Sequence, residues 1–249
     1  MLLAVPALAF VLVPLAGLAS RAPWSDAGSR LTKAGTGTAV VVSLEVTLGA
    51  TLLALVLGLP AAWVLARVPL PARRVVRAII ILPVVLPPVV AGVALLATLG
   101  RFGFLGRLLG HLGIHLPFTT AGAAVAAAFV SAPLLVLALE AGLRSLDVRL
   151  EDAARTLGAS RWYVFRRVTL PLLRPHLVAG LGLTWARALG EFGATITFAG
   201  NLRGTTQTLP LAVFEALQTD QEAAIMVSVV MLGLSLAILA ALGGRLLGR

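Results

Sequence analysis

The chain is 249 residues long, 59% hydrophobic and only 12% charged, with 20 Lys and Arg against 10 Asp and Glu and no cysteine. Soluble domains carry about 25% charged residues, so this composition excludes a water-soluble protein and sets most of the apolar surface against lipid or other membrane helices. The missing cysteines rule out disulfides, thiolate metal sites and cysteine nucleophiles.

Six apolar segments are predicted as membrane helices, at 2–20, 40–66, 78–100, 116–140, 175–202 and 223–244. Each approaches or exceeds the ~20 residues that cross a ~30 Å hydrocarbon core, and together they make one all-α integral membrane domain over 1–249. The first ends in Gly17-Leu18-Ala19-Ser20, which would suit a signal-peptide cleavage site. No basic residue precedes its apolar core, so it is expected to remain as a helix. Residues 20–36 are polar, with Pro, Gly and Asp26, and an irregular outer loop is expected there. The second segment closes with Pro60 and Trp63, the latter placed as an interfacial anchor, and a short basic loop at 69–77 follows.

The third segment carries Pro83, Pro87 and Pro88 in the run LPVVLPPVVAG at 82–92. Three prolines remove three backbone donors and must bend or interrupt the helix. The freed carbonyls need partners inside the protein, so the break is either a packing kink or a stretch facing a wet cavity. Residues 100–115 place Leu105, Leu108, Leu109 and Leu112 at helical spacing, which predicts a short helix on the membrane surface. His111 and His115 stand four apart, but no carboxylate or cysteine is near enough in sequence to complete a metal site, and a solvated pair is expected.

Residues 143–174 are the most polar stretch. Leu146, Leu150, Ala153, Ala154 and Leu157 recur at three- and four-residue intervals and predict one amphipathic helix up to Gly158. Asp147, Glu151 and Asp152 lie near its beginning, where they complement the helix dipole, and Gly158 is suited to end it. A second helix over 161–168, halted by Pro171, would complete a hairpin. In the fifth segment Arg187 and Glu191 stand four apart. An ionisable residue inside a span costs about 2.5–3.5 kcal/mol on insertion scales, so the two are either a pair holding helices together or part of a wet path.

Thirteen Lys and Arg fall on the side that holds residues 143–174, and six on the other. The basic side is expected to be cytoplasmic, which places that stretch and both termini inside. The positive balance is thus topological and calls for no nucleic acid.

Two motifs add a resemblance. Asp152-Ala153-Ala154, three residues, Gly158, nine residues, then Val168-Thr169-Leu170-Pro171 resemble the EAA loop of ABC-importer permeases, in outline E-A-A, three residues, Gly, nine residues, I-x-L-P. Asp152 stands for Glu and Val168 for Ile, each keeping the chemical type. The run TWARALGEFGATITFAGN at 184–201, with Thr206-Gln207-Thr208-Leu209-Pro210 after it, resembles molybdate permeases; sulfate permeases share its R-A-x-G-E-F/Y-G core.

The resemblance implies the type I importer permease fold, six transmembrane helices with a cytoplasmic coupling-helix hairpin. It also implies a homodimer in a bacterial or archaeal plasma membrane, served by two copies of an ABC ATPase and a periplasmic or extracellular oxyanion-binding protein. The cargo would be molybdate, with tungstate beside it and sulfate or thiosulfate as the alternative. The ATPase contact would be Asp152, Ala153, Ala154, Gly158, Ala159, Ser160, Arg161, Trp162, Tyr163, Leu170 and Pro171. Pathway or gate residues would be Arg187, Glu191, Phe192, Pro87 and Pro88. The chain has no G-x-x-x-x-G-K-[ST] phosphate loop, so ATP and Mg belong to the partner ATPase, and the chain itself is expected to be a translocation subunit, without a cofactor, and not an enzyme. A secondary transporter would instead show ionisable groups over several spans and a repeat of broken helices. An intramembrane enzyme would need a nucleophile with its base, or a metal cluster.

Overall fold

The computed structural model describes residues 4–246; Leu2 and Leu3 of the first predicted segment, and the chain termini whose side of the membrane was inferred, lie outside the described residues. Helix α1, Ala4–Ser20, is exposed along nearly its whole length and packs on α13, Gln221–Leu246. The stretch expected to be an irregular loop is instead helical, a 3-10 turn at Trp24–Asp26 followed by α2, Ala27–Lys33. A cluster of charges explains why: Arg30 of α2 reaches Asp220 at 3.1 Å and also pairs with Glu222, fastening α2 to the start of α13. The Ala223 backbone N–H, and then the Arg30 guanidinium, hold the Asp220 carboxyl below its usual range.

The centre of the molecule is α3, Thr36–Arg67, packed along α7, Thr120–Ser145. Val42, Val46 and Ala50 meet Ala123, Ala127 and Ala128 at one end, and Ala62 and Leu65 meet Leu139 and Leu143 at the other, so the two run parallel. Small residues set the spacing. A Cβ on Gly49 would lie 3.1 Å from the Ala124 Cβ, and one on Gly58 would lie 3.3 Å from Val136. Between membrane helices there is little hydrophobic gain, and attraction comes from the close approach that such residues permit. Val41, Leu48, Leu52 and Val56 of α3 point away from this seam and are exposed.

Helices α4, Arg73–Val85, and α5, Pro88–Leu99, meet at a bend of 113°. Leu86 and Pro87 are extended there, with ψ of 139° and 130°. The residue before a proline is pushed out of the α region, and Pro88 can open a helix because its missing N–H has no partner to lose. Pro83 sits inside α4 without breaking it. The basic loop expected at 69–77 is shorter, because α4 already begins at Arg73. A short helix forms where one was expected, α6, Phe104–His111, with Leu105 and Leu108 exposed, and Leu112 exposed just past its end. It stops at His111, so His115 is not on its face.

The amphipathic helix expected up to Gly158 forms, but Leu146 stays outside it, extended with ψ of 132°. Asp147 then caps α8, Val148–Thr156, by accepting a 3.0 Å bond from the Arg149 N–H. Nor does Pro171 halt the next helix. Helix α9, Arg161–Val164, passes through a π turn, Phe165–Thr169, into α10, Leu170–Leu189, with helical dihedrals throughout. Pro171 has no N–H to give. In the turn before it the ladder shifts by one residue, the Leu170 N–H bonding to the Phe165 carbonyl.

Helix α10 packs against α7: a Cβ on Gly142 would lie 2.6 Å from His176, and one on Gly180 would lie 2.9 Å from Ala138. The fifth apolar segment then breaks at 190–192 before α11, Gly193–Ala199, and a loop leads to α12, Leu209–Thr219. Three helices, α3, α7 and α13, are each long and apolar enough to cross a membrane alone, and the count reaches five if each bent pair is one span. Of the six apolar segments read from hydropathy, the third is broken as its prolines predict, and the fifth is broken as well.

Candidate functional site

Two groups of residues stand out, at the two ends of α10. At its N-terminal end lies the hairpin of α8 and α9. Gly158 turns it with a φ of +86°, a conformation open to glycine at little cost. The Ser160 hydroxyl accepts a 3.3 Å bond from the Tyr163 N–H and caps α9. Asp152, Ala153, Gly158, Ser160, Arg161, Trp162, Tyr163 and Pro171 are exposed, while Ala154, Ala159 and Leu170 are half-buried. Leu157, next to the turn, is 89% exposed. Trp162 stacks on Phe165 at 5.6 Å, and Phe165 meets the edge of Trp63 at 5.7 Å, so the residue read as an interfacial anchor ties α3 to the hairpin.

Sequence reasoning missed the two acidic residues that the structure buries near this end. Glu151 is 5% exposed and accepts from Arg67 at 3.1 Å and from the Thr169 hydroxyl at 2.9 Å. Its neighbour Asp152, which the motif singles out, faces solvent. Glu140, the last residue of the predicted fourth segment, is 1% exposed and lies 3.1 Å from Arg77 of α4 and 2.5 Å from Arg144. Those contacts are ion pairs by distance without hydrogen-bond alignment. A signal was available: Glu140 and Arg144, like Glu151 and Arg155, stand four apart.

At the other end of α10 the break is built around Glu191. Arg187 donates to one carboxylate oxygen at 2.6 Å, and the Ala194 N–H donates to the other at 2.9 Å. Glu191 is fully buried and the Arg187 side chain is 34% exposed. The third segment comes to this point. A Cβ on Gly193 would lie 2.8 Å from Pro88, and one on Gly92 would lie 2.5 Å from the Thr197 Cβ, so α5 and α11 cross in contact. Pro88 is thus brought against Gly193, next in sequence to Phe192, whereas Pro87 lies exposed at the bend. The Phe192 ring packs 5.0 Å from Phe214 and borders a cavity with Val213, Leu217 and Met231. Glu215 of α12 gathers three residues of the loop before it, Asn201 at 3.1 Å, Arg203 at 2.5 Å and Gln207.

Membrane-length helices, two segments broken where they touch, and a polar hairpin at the foot of one of them define the membrane component of a transport system. Residues 54–249 match the family described as binding-protein-dependent transport system inner membrane component, and the chain belongs to that family. It is 42% identical over 242 residues to the molybdenum transport system permease protein ModB of Mycobacterium tuberculosis, covering 97% of this chain and 92% of that one. Over 182 residues it is 48% identical to ModB of Escherichia coli K12, covering 73% of this chain and 80% of that one. The sulfate transport system permease protein CysT of Escherichia coli K12 is 38% identical over 233 residues, with 92% and 84% covered. Among solved structures, a bacterial alginate ABC transporter in complex with a periplasmic protein shares the fold, with a TM-score of 0.71 at 18% identity over 98% of this chain and 92% of that one.

Proposed function

We propose that this chain is the permease subunit of an ATP-driven, binding-protein-dependent importer of molybdate. The observation that carries the reading is the 42–48% identity to molybdenum permeases over most of the chain, above the 38–40% to sulfate permeases. Tungstate, a dianion of the same shape, is the expected second cargo.

In this reading six crossings, some of them broken, traverse the membrane with both termini in the cytoplasm. Two copies of the chain form the path, and two ATPase subunits dock on the α8–α9 hairpins, whose exposed Leu157, Trp162 and Tyr163 offer an apolar surface in an otherwise charged segment. A binding protein delivers the anion from outside. Helix α10 spans 20 residues between the hairpin and the broken segment; at 1.5 Å per residue it is a lever roughly 30 Å long. Movement of its foot displaces the α5–α11 contact, which serves as the gate.

The buried Glu191 does not repel a dianion, because both its oxygens are engaged, one by Arg187 and one by a backbone N–H. The partly exposed Arg187 keeps further donors for a passing oxyanion, and a path of this kind must hold its cargo weakly to release it.

The test is ATP-driven uptake in liposomes containing the chain, its ATPase and its binding protein, with molybdate, tungstate and sulfate each at matched saturation of the binding protein. Molybdate and tungstate should enter and sulfate should not. Sulfate uptake at an equal or greater rate overturns the cargo while leaving the ABC permease reading in place.

A further inference from the structure

We infer that Glu151 is the positioning residue that couples the hairpin to the membrane helices, acting as a latch between α8, the end of α3 and the foot of α10. The inference rests on the reading of the hairpin as the ATPase-docking element.

Helix α8 has little else to hold it. Val148, Arg149, Leu150, Asp152, Ala153, Arg155 and Thr156 are all exposed, so apolar burial cannot fix the helix against the bundle. Glu151 is the one buried residue of this helix, and its carboxylate is spent on neighbouring elements. One oxygen takes both the Arg67 guanidinium at 3.1 Å and the Thr169 hydroxyl at 2.9 Å, and the other faces Arg155 at 3.9 Å. Among the described residues this is the hydrogen-bonded link from α8 to α3.

Each partner lies at a point from which movement can spread. Arg67 is the last residue of α3, the helix packed along α7 at the centre of the bundle. Thr169 is the last residue of the π turn, directly before α10, whose far end carries Arg187 and Glu191. A shift of α8 is therefore delivered to two membrane helices through a single carboxylate. The latch is also stiff. A charge-assisted hydrogen bond is about twice as strong as a neutral one, and the Arg67 side chain is 16% exposed, with its Nε buried and unpartnered. Without Glu151 the guanidinium keeps no carboxylate in contact among the described residues, and α8 loses its hydrogen-bonded link to α3.

The experiment uses the complete importer, with ATPase and binding protein, in liposomes, and reads molybdate taken up per ATP hydrolysed alongside co-purification of the ATPase. Glu151→Gln keeps the shape of the side chain and removes its charge. The ATPase is expected to co-purify, while uptake per ATP falls by about tenfold or more, as the loss of a hydrogen bond between buried charged groups implies. Exchanging the partners, Glu151→Arg with Arg67→Glu, is expected to recover part of that ratio, which assigns the effect to the Glu151–Arg67 contact. An unchanged ratio in Glu151→Gln overturns the latch, as does loss of the ATPase or an equal fall in hydrolysis and uptake. Gly158→Trp, at the exposed turn, separates this failure from that of the underlying reading. If Gly158→Trp keeps full ATPase binding and uptake, the hairpin is not the docking element and both ideas fall; if it loses the ATPase while Glu151→Gln transports normally, only the latch falls.

Discussion

Arg187 and Glu191 show how a buried charge is accommodated inside a membrane helix bundle. Glu191 is satisfied twice over, by Arg187 and by the Ala194 N–H, and the bond at 2.9 Å to that N–H fixes the start of α11. Truncating Arg187 alone leaves a buried carboxylate without its counter-charge, which costs about 3–5 kcal/mol in comparable buried pairs. Arg187→Ala should therefore reduce both the yield of assembled protein and transport. The pairwise change Arg187→Ala with Glu191→Gln removes the stranded charge, and assembly should recover while transport stays low. Size-exclusion profiles and uptake in the same preparations check this; recovery of both would reduce the pair to a structural brace. The motif made this site legible, since the two residues could be paired by their spacing alone. Glu151 was not legible in the same way, because the pattern drew attention to Asp152, and only burial separates the two neighbouring acids.

At the scale of elements, the breaks matter more than the helices. Prolines at 83, 87 and 88 announce a broken third segment, and the bend at Leu86–Pro87 follows from them. The break in the fifth segment was hidden, because Gly190-Glu191-Phe192 reads as helix in any hydropathy window. What stops the helix there is a local bond and a packing contact: Glu191 accepts from the Ala194 N–H, and Gly193 lets α11 come against Pro88. Glycine at 92 and at 193 is required by that approach. Gly92→Leu should force α5 and α11 apart, since its Cβ alone would lie 2.5 Å from Thr197, and overpacking of this kind costs typically 1–3 kcal/mol. A lower melting temperature in detergent and a loss of transport are expected, with Gly37→Ala as the control, because nothing lies within 4 Å of a Cβ there. Normal transport in Gly92→Leu would show that this contact is not the gate.

For the whole molecule, the packing gives each charge group an end. Helices α3 and α7 run parallel, so Arg67, Arg144 and the hairpin share one end of the bundle, together with Arg77 through Glu140. At the opposite end Thr120 donates to the Thr205 carbonyl at 2.8 Å, and the Leu209 N–H donates to Ser43 at 2.7 Å, which places the loop over 201–208 there. On the count of Lys and Arg, the end that holds Arg67, Arg77 and Arg144 belongs to the more basic side. Lys and Arg are retained on the cytoplasmic side of short loops, so the hairpin end should face the cytoplasm. The natural absence of cysteine makes this simple to test, since any thiol introduced is the only one. Thr205→Cys, exposed on the loop, should react with a membrane-impermeant maleimide added outside intact spheroplasts. Arg149→Cys, exposed on α8, should react only in inverted vesicles. The reverse pattern would turn the molecule over, leaving the hairpin unable to meet an ATPase in the cytoplasm, and labelling of both positions from one side would contradict the parallel arrangement of α3 and α7 across the membrane.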